Sequence, residues 1–183
     1  MSALASGVLF DVPPRLNASH DTMRREATFD PTTLYRYSLR RCWDDTRTGV
    51  CWIMLNPSTA DEFRDDPTVR RCINFSRQWG YGSLEVVNIF AYRATLPSDL
   101  WPLDDPIGPD NDAAIDAAAA RASLVVAAWG THGGYRGRGA EVAARLTGAK
   151  CLGLSKGGYP RHPLYVRGNV QLVEYGGSAD AQD

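Results

Sequence analysis

Short apolar segments alternate with polar loops and helical segments along most of the chain. Four apolar runs have the pattern of strands that are buried on both faces of a sheet, and they span residues 50–55, 84–89, 123–129 and 150–154. The aromatic-rich segment 34–43 alternates in part and predicts a further strand. Residues 170–175 predict a last strand at an edge of the sheet.

Three helices are predicted between these strands. Asp66 is an N-cap candidate, Pro67 suits the first helical position, and Gly80 suits the end of that helix. The alanine-rich segment 111–121 and residues 140–147 predict two more helices. Strands and helices in alternation predict an α/β fold, namely a three-layer α/β/α arrangement with a mainly parallel central sheet.

The length of 183 residues is ordinary for one domain. Residues 1–32 contain Pro13-Pro14 and few periodic apolar positions, so we expect a partly ordered N-terminal tail. A single α/β domain is expected at 33–175, followed by a C-terminal tail at 176–183.

Loops at one edge of this predicted sheet are the expected place for a ligand. In parallel α/β sheets, ligands bind beyond the carboxyl ends of the strands. The loops that follow the four buried strands begin at Asn56, Phe90, Gly130 and Ser155. We therefore predict that these loops, spread over a hundred residues, meet to form one site.

The composition and net charge exclude several classes of protein. The net charge of −1 excludes a polycation, and no apolar run approaches the roughly 20 residues of a membrane helix. The first ten residues lack the features of a secretory signal. The four cysteines include no Cys-x-x-Cys pair. We expect a cytoplasmic protein with reduced thiols, no membrane contact, and no metal or other cofactor.

Charge is distributed unevenly along the chain. Residues 95–120 contain six Asp and no Lys or Arg, whereas residues 131–170 contain seven basic residues and one Glu. A phosphate-bearing ligand or a nucleic-acid backbone would suit such a basic region, but solvated surface charges explain it equally well. Five of these seven residues lie in the predicted loops around Gly130 and His162, namely Arg136, Arg138, Lys156, Arg161 and Arg167.

Polar residues at the predicted strand ends are the candidates for chemistry. Asn56, in the segment LNPSTAD at 55–61, has an amide that can fix a water or a ligand, or can form an ordinary Asx turn. Asn88 ends an apolar strand, where a buried amide must bond either a neighbouring loop or a ligand. Asp66 is interpreted as a helix cap, and the role of Asp65 stays open.

Two later segments add candidates. Gly130, after Trp129, allows a close approach of the backbone, and the amides of its loop could hold an anion. His162 lies in the stiff segment Pro160-Arg161-His162-Pro163, and it is either a surface histidine in a proline turn or a group that stabilises negative charge.

Several motifs together resemble a bacterial family known only as a domain of unknown function. The similarity runs from about residue 33 to 170. Its motifs are Tyr35-Arg36-Tyr37, LNPSTAD at 55–61, DDP at 65–67, WGYG at 79–82, VVNIFAYRAT at 86–95, WG at 129–130 and HPLY at 162–165.

More distantly, the chain resembles the uracil-DNA glycosylase superfamily, whose members have a three-layer α/β fold. Asn56-Pro57 is similar to its first motif, Asn88 lies where that superfamily reads the base edge, and Trp129-Gly130 resembles a later motif. His162-Pro163-Leu164 looks like its last motif, a His-Pro-Ser loop. Met54 and Ser58 stand where the mismatch-specific branch of that superfamily usually has glycines, and Leu164 replaces the serine of the last motif.

This resemblance implies hydrolysis of an N-glycosidic bond that releases a damaged or modified base from DNA. Asn56 would position the water, Asn88 would read the base edge, and His162 would stabilise the charge on the departing base. The further substrate contacts it suggests are Phe63, Phe90 or Tyr92 for stacking, Arg93, Trp129 and Gly130 at the mouth, and Leu164 or Tyr165 as a wedge in DNA. Backbone contacts would come from Ser58, Arg136, Arg138, Lys156 and Arg161.

Two alternatives stay open beside this hydrolysis. The same pocket could bind nucleic acid or modified nucleotides without catalysis, or it could hydrolyse free modified nucleosides or nucleotides.

Overall fold

A seven-stranded mixed sheet forms the centre of the computed structural model, which describes residues 23–58, 60, 61 and 63–176. The strand order is β1-β2-β4-β3-β5-β6-β7. The strands are β1 (Arg24–Phe29), β2 (Arg36–Cys42), β3 (Gly49–Met54), β4 (Ser83–Asn88), β5 (Leu124–Ala127), β6 (Lys150–Cys151) and β7 (Val173–Glu174).

The four central strands, β4, β3, β5 and β6, are parallel to one another. The outer strands β1 and β2 on one side and β7 on the other are antiparallel to their neighbours. The predicted α/β fold is therefore confirmed, but within the described residues the sheet is mixed, and only its centre is parallel.

Helices cover both faces of this sheet. The helices are α1 (Pro67–Gln78), α2 (Asn111–Arg121) and α3 (Arg138–Ala143). Neighbouring residues of β3 point to opposite faces, so Trp52 packs with Phe75 of α1, whereas Ile53 lies in a second core with Ile115 of α2 and Val142 of α3. Short 3₁₀ turns at Pro97–Leu100, Thr131–Gly137 and Pro163–Tyr165 lie in the loops beyond the carboxyl ends of the strands.

Local signals set the ends of α1 as predicted. The carboxylate of Asp66 accepts a hydrogen bond from the Val69 amide at 2.8 Å, and Pro67 is the first helical residue. Gly80 follows the helix with φ +86°, a conformation that favours glycine. The Asp66 cap fixes the first turn of α1, and it therefore fixes where the loop that joins β3 to α1 ends.

The sheet begins earlier in the chain than the sequence predicts. Strand β1 lies inside the segment 1–32 that we expected to be a tail, and it pairs with β2 from Arg24↔Cys42 onward. The predicted tails at residues 1–22 and 177–183 lie outside the described residues. The predicted strand at 150–154 shortens to two residues, because Gly153 turns the chain with φ +96°.

An ion-pair cluster holds the loop after β3 against the sheet. Asp65 accepts from Arg41 and from Arg25, both at 2.8 Å, and Arg41 is fully buried. The role of Asp65, left open by the sequence, is therefore to neutralise a buried arginine. No helix in the described part of the chain has the length and apolar character needed to span a membrane.

Candidate functional site

The four loops after the central strands line one cavity of about 680 Å³. Asn56, Thr95, Gly130 and His162 represent the four loops in its wall, so the predicted convergence is confirmed. Small-molecule sites typically enclose about 300–1,000 Å³, and this cavity is therefore large enough for a nucleoside.

The amide of Asn56 is held in one orientation at the end of β3. Its Nδ2 donates to the carbonyl oxygen of Ala94 at 2.7 Å and to that of Pro57 at 3.1 Å. Two carbonyl acceptors require the nitrogen on that side, so the oxygen Oδ1 is the group that Asn56 can offer to a ligand. This amide also joins the first loop to the second, which a simple Asx turn would not do.

Asn88 presents the opposite polarity. Its side chain is buried at the end of β4, and its Oδ1 accepts from Nη2 of Arg36 at 3.4 Å. Its Nδ2 has no hydrogen-bond partner among the described residues, and Asn88 lines the cavity. The group that Asn88 can offer to a ligand is therefore a donor.

Arg36, which is not among the site residues expected from the sequence, also lines the cavity. It is only 3 % exposed, and its Nη1 donates to the carbonyl of Ala60 at 2.6 Å. Burial lowers the pKa of its guanidinium to about 10, against the opposing charge of Asp66. A charged residue between two tyrosines in a strand is the signal that could have identified it.

His162 is held as a neutral imidazole of defined tautomer. Burial lowers its pKa from the ordinary value of 6.5, and the charge of Asp66 opposes that shift. Its Nδ1 accepts from the Leu164 amide at 3.3 Å, which places the ring proton on Nε2. His162 can therefore offer a hydrogen-bond donor to the cavity without carrying a positive charge.

Gly130, in the loop that follows β5, lies close to the loop that contains His162. Its amide donates to the carbonyl of Pro160 at 2.9 Å, and a Cβ at Gly130 would lie 3.7 Å from Cβ of His162. With φ +73°, this position favours glycine as the sequence suggested. Trp129 borders the cavity too, but its ring is nearly all in the core, where it packs edge-on against Tyr175.

Apolar side chains are exposed at the rim of the cavity. Tyr165 is 81 % exposed and Leu164 is also exposed, although both contribute to the lining. Ser58 and Arg161 lie in the lining as well, and Arg161 donates to the carbonyl of Leu154 at 3.0 Å. The rim of the cavity therefore combines exposed apolar side chains with polar and basic ones.

Two predicted site residues are wrong because their side chains are fully buried elsewhere. Phe90 lies in the second core and packs against Tyr135, so its ring cannot stack on a base in the cavity. Arg138 is buried and forms ion pairs with the exposed carboxylates of Asp112 and Glu141, so its guanidinium cannot reach a phosphate backbone.

Five other candidates lie outside the cavity wall. Arg136 donates to the carbonyls of Leu103 and Asp104, and Arg93 donates to the carbonyl of Thr33. The ring of Tyr92 packs edge-on against Tyr35. Phe63, which is 82 % exposed, and Lys156 are both on the surface away from the lining.

The cavity also contains residues that sequence reasoning missed, because their roles depend on long-range packing. These residues include Asp66, whose cap role was predicted but not its place in the wall, and Thr131, His132 and Tyr159. Among the residues that the structure describes, no group of three or more His, Cys, Asp or Glu side chains could hold a metal ion.

Comparison with known families gives a match over most of the chain. A family model described as "Protein of unknown function (DUF1643)" matches residues 36–164, in agreement with the family resemblance that the motifs indicated. Searches of curated proteins and of solved structures give no significant match.

We predict that His162 makes the protein less stable as the pH falls below 6.5. The folded state binds the proton more weakly than the unfolded state, so stability is unaffected above the unfolded pKa and decreases as the pH falls toward the lowered folded pKa. Urea denaturation at pH 7.5 and pH 5.5 should show a smaller loss for His162→Gln than for the wild type. Asn169→Gln, at an exposed residue without an ionisable side chain, should behave as the wild type, and an unchanged loss in His162→Gln would contradict the assignment.

Proposed function

Because the chain belongs to the family of unknown function DUF1643, its activity has to be inferred from the site, and we propose that it hydrolyses N-glycosidic bonds. The substrate class is a nucleobase-containing one, and the product is a released damaged or modified base. DNA is the proposed source of that base, which would make the protein a DNA-repair hydrolase.

The observation that carries this proposal is the set of fixed polar groups in one cavity. Asn56 offers an acceptor, Asn88 a donor, and His162 a donor on a neutral ring. A base that leaves its sugar needs such groups: a water acceptor on the sugar side and donors on the side where negative charge develops. Asn88 is the last residue of β4, whereas Asn56 and His162 come from two different loops.

Asn56 and His162 have different roles in the proposed reaction. The bond between C1′ of the sugar and the ring nitrogen breaks, and its electron pair leaves with the base. The oxygen of water then bonds to C1′, one water proton passes to solvent, and the base takes up a proton. Asn56 orients the water through Oδ1, but an amide is not a general base, so departure of the base has to drive the reaction. His162 stabilises the departing base through Nε2–H.

The exposed apolar rim of the cavity, rather than a set of basic residues, supports duplex DNA as the substrate. Leu164 and Tyr165 project from the loop that contains His162, and apolar side chains of this kind can fill the gap left by an extruded base. The proposal includes a fold of the uracil-DNA glycosylase type. It is supported by helices on both faces of a sheet with four parallel central strands, and by the order of the motifs along the chain.

A free nucleoside or nucleotide is the second candidate substrate. Arg136 and Arg138, which were expected to contact a nucleic-acid backbone, bind groups of the protein itself. The cavity volume of about 680 Å³ exceeds what a base alone requires, which favours a ligand with its sugar enclosed. Binding without catalysis would use the same cavity.

We predict that Asn56→Ala and His162→Ala each reduce base release by about a hundredfold or more, because each removes a group that acts on the reacting atoms. The assay uses duplex oligonucleotides that contain uracil, oxidised pyrimidines or alkylated purines, followed by alkaline cleavage at abasic sites. A parallel panel of free nucleosides is analysed by chromatography. Asn169→Ala, which changes an exposed asparagine outside the cavity, is the matched control.

Base release that survives both substitutions would contradict the site assignment. Release from free nucleosides alone would replace DNA with the second substrate class. Binding of the oligonucleotides without any released base would support the non-catalytic alternative.

A second prediction concerns the rim. The double variant Leu164→Ala/Tyr165→Ala should lower base release from duplex DNA by about tenfold or more and leave release from free nucleosides unchanged, because only a duplex has a gap to fill. Val173→Ala, at an exposed apolar residue of β7, serves as the control. Equal rates for the double variant and the wild type on duplex DNA would contradict the wedge.

A further inference from the structure

Arg36 differs from the other buried arginines of the described structure in having no carboxylate partner there. Three arginines are almost fully buried: Arg36, Arg41 and Arg138. Arg41 pairs with Asp65 at 2.8 Å, and Arg138 pairs with Asp112 and with Glu141. For Arg36, no carboxylate of the described residues lies within ion-pair distance, and only neutral carbonyl groups accept its hydrogen bonds.

This arrangement costs folding free energy. A buried cation loses its hydration, and neutral acceptors replace only part of it. Its Nε is buried and has no hydrogen-bond partner, so the guanidinium is incompletely satisfied as well as unpaired. The lowered pKa agrees with this picture, since burial is its main cause.

The cavity is where the missing charge can enter. Arg36 lines the cavity wall together with Asn88, whose Oδ1 it contacts. The carboxylate that most affects Arg36 is Asp66, but Asp66 caps α1 through the Val69 amide and does not lie within ion-pair distance of Arg36. An occupant of the cavity that carries a negative charge would therefore supply what the described residues do not.

We propose that Arg36 forms an anion subsite in the cavity wall and that the natural ligand carries a negatively charged oxygen group, a carboxylate or a phosphate. The group is either a substituent on the base or the phosphate of a nucleotide. That the rest of the ligand is a nucleobase rests on the proposed function. The inference that the ligand carries an anionic group rests only on the burial of Arg36 and on its lack of a carboxylate partner.

Arg36 also determines which atoms of a ligand the Asn88 amide can bind. Because its guanidinium binds Oδ1, the amide of Asn88 cannot turn over without placing Nδ2 against the cation. The subsite therefore consists of a cation and an adjacent N–H donor, and both select oxygen atoms of the ligand.

Calorimetric titration of the full chain with three probes tests the subsite. The probes are uracil, uracil-5-carboxylate and inorganic phosphate, each at the same ionic strength. The wild type should bind uracil-5-carboxylate about tenfold or more tightly than uracil, because a charge-assisted hydrogen bond is added. Arg36→Met should remove this preference, and Arg36→Lys should restore part of it.

Arg40→Met is the matched control, since it removes the same charge from an exposed position of the same strand. It should keep the preference for the carboxylated probe. Thermal unfolding without ligand gives a second readout: Arg36→Met should lower the melting temperature less than Arg41→Met, which leaves the carboxylate of Asp65 without its buried partner.

If Arg36→Met does not fold, the wild type alone decides, through the rise in melting temperature that each probe causes. Equal effects of uracil and uracil-5-carboxylate with no effect of phosphate, or a preference that persists in a folded Arg36→Met, would overturn the subsite. If phosphate is the only probe that binds, and its binding is lost in Arg36→Met, the subsite would be supported. The inference that the rest of the ligand is a nucleobase would then be overturned. A carboxylate preference without base release from any substrate would support the subsite and overturn the proposed hydrolysis.

Discussion

Polar groups at the carboxyl ends of the parallel strands must find hydrogen-bond partners once they are buried, and this requirement joins the loops of the site. The Asn56 amide binds the carbonyl of Ala94, and the Asn111 amide binds the backbone carbonyl of Asn88. The Gly130 amide likewise binds the following loop. Each bond joins segments that are far apart in sequence, so the cavity follows from satisfying these groups together.

The groups left over from this pairing are the ones available for chemistry. Asn56 keeps an oxygen, Asn88 keeps a nitrogen, and His162 keeps a ring N–H after its other nitrogen has bound the backbone. Arg36 keeps a positive charge. The same contacts that stabilise the loops thus orient the side chains, and the proposed hydrolysis needs no rearrangement of them before a base enters.

Elements with local signals could be predicted from the sequence, whereas side-chain directions could not. Helix α1 has a cap, a proline and a glycine within its own segment, and its bounds agree with the prediction. Strand β1 has a polar edge pattern and was assigned to a tail. Phe90 lies in the expected loop and Arg138 is the first residue of α3, but long-range packing turns both side chains into the protein, and the same packing brings Arg36 to the cavity.

A crystal structure of the protein soaked with a free oxo-base such as uracil is the most direct test of base recognition in this cavity. We expect a base inside the cavity, with one carbonyl oxygen within hydrogen-bond distance of Nδ2 of Asn88 and a ring atom close to Nε2 of His162. A base bound elsewhere on the molecule, or bound in the cavity with both of these side chains turned away from it, would show that these groups do not recognise a base.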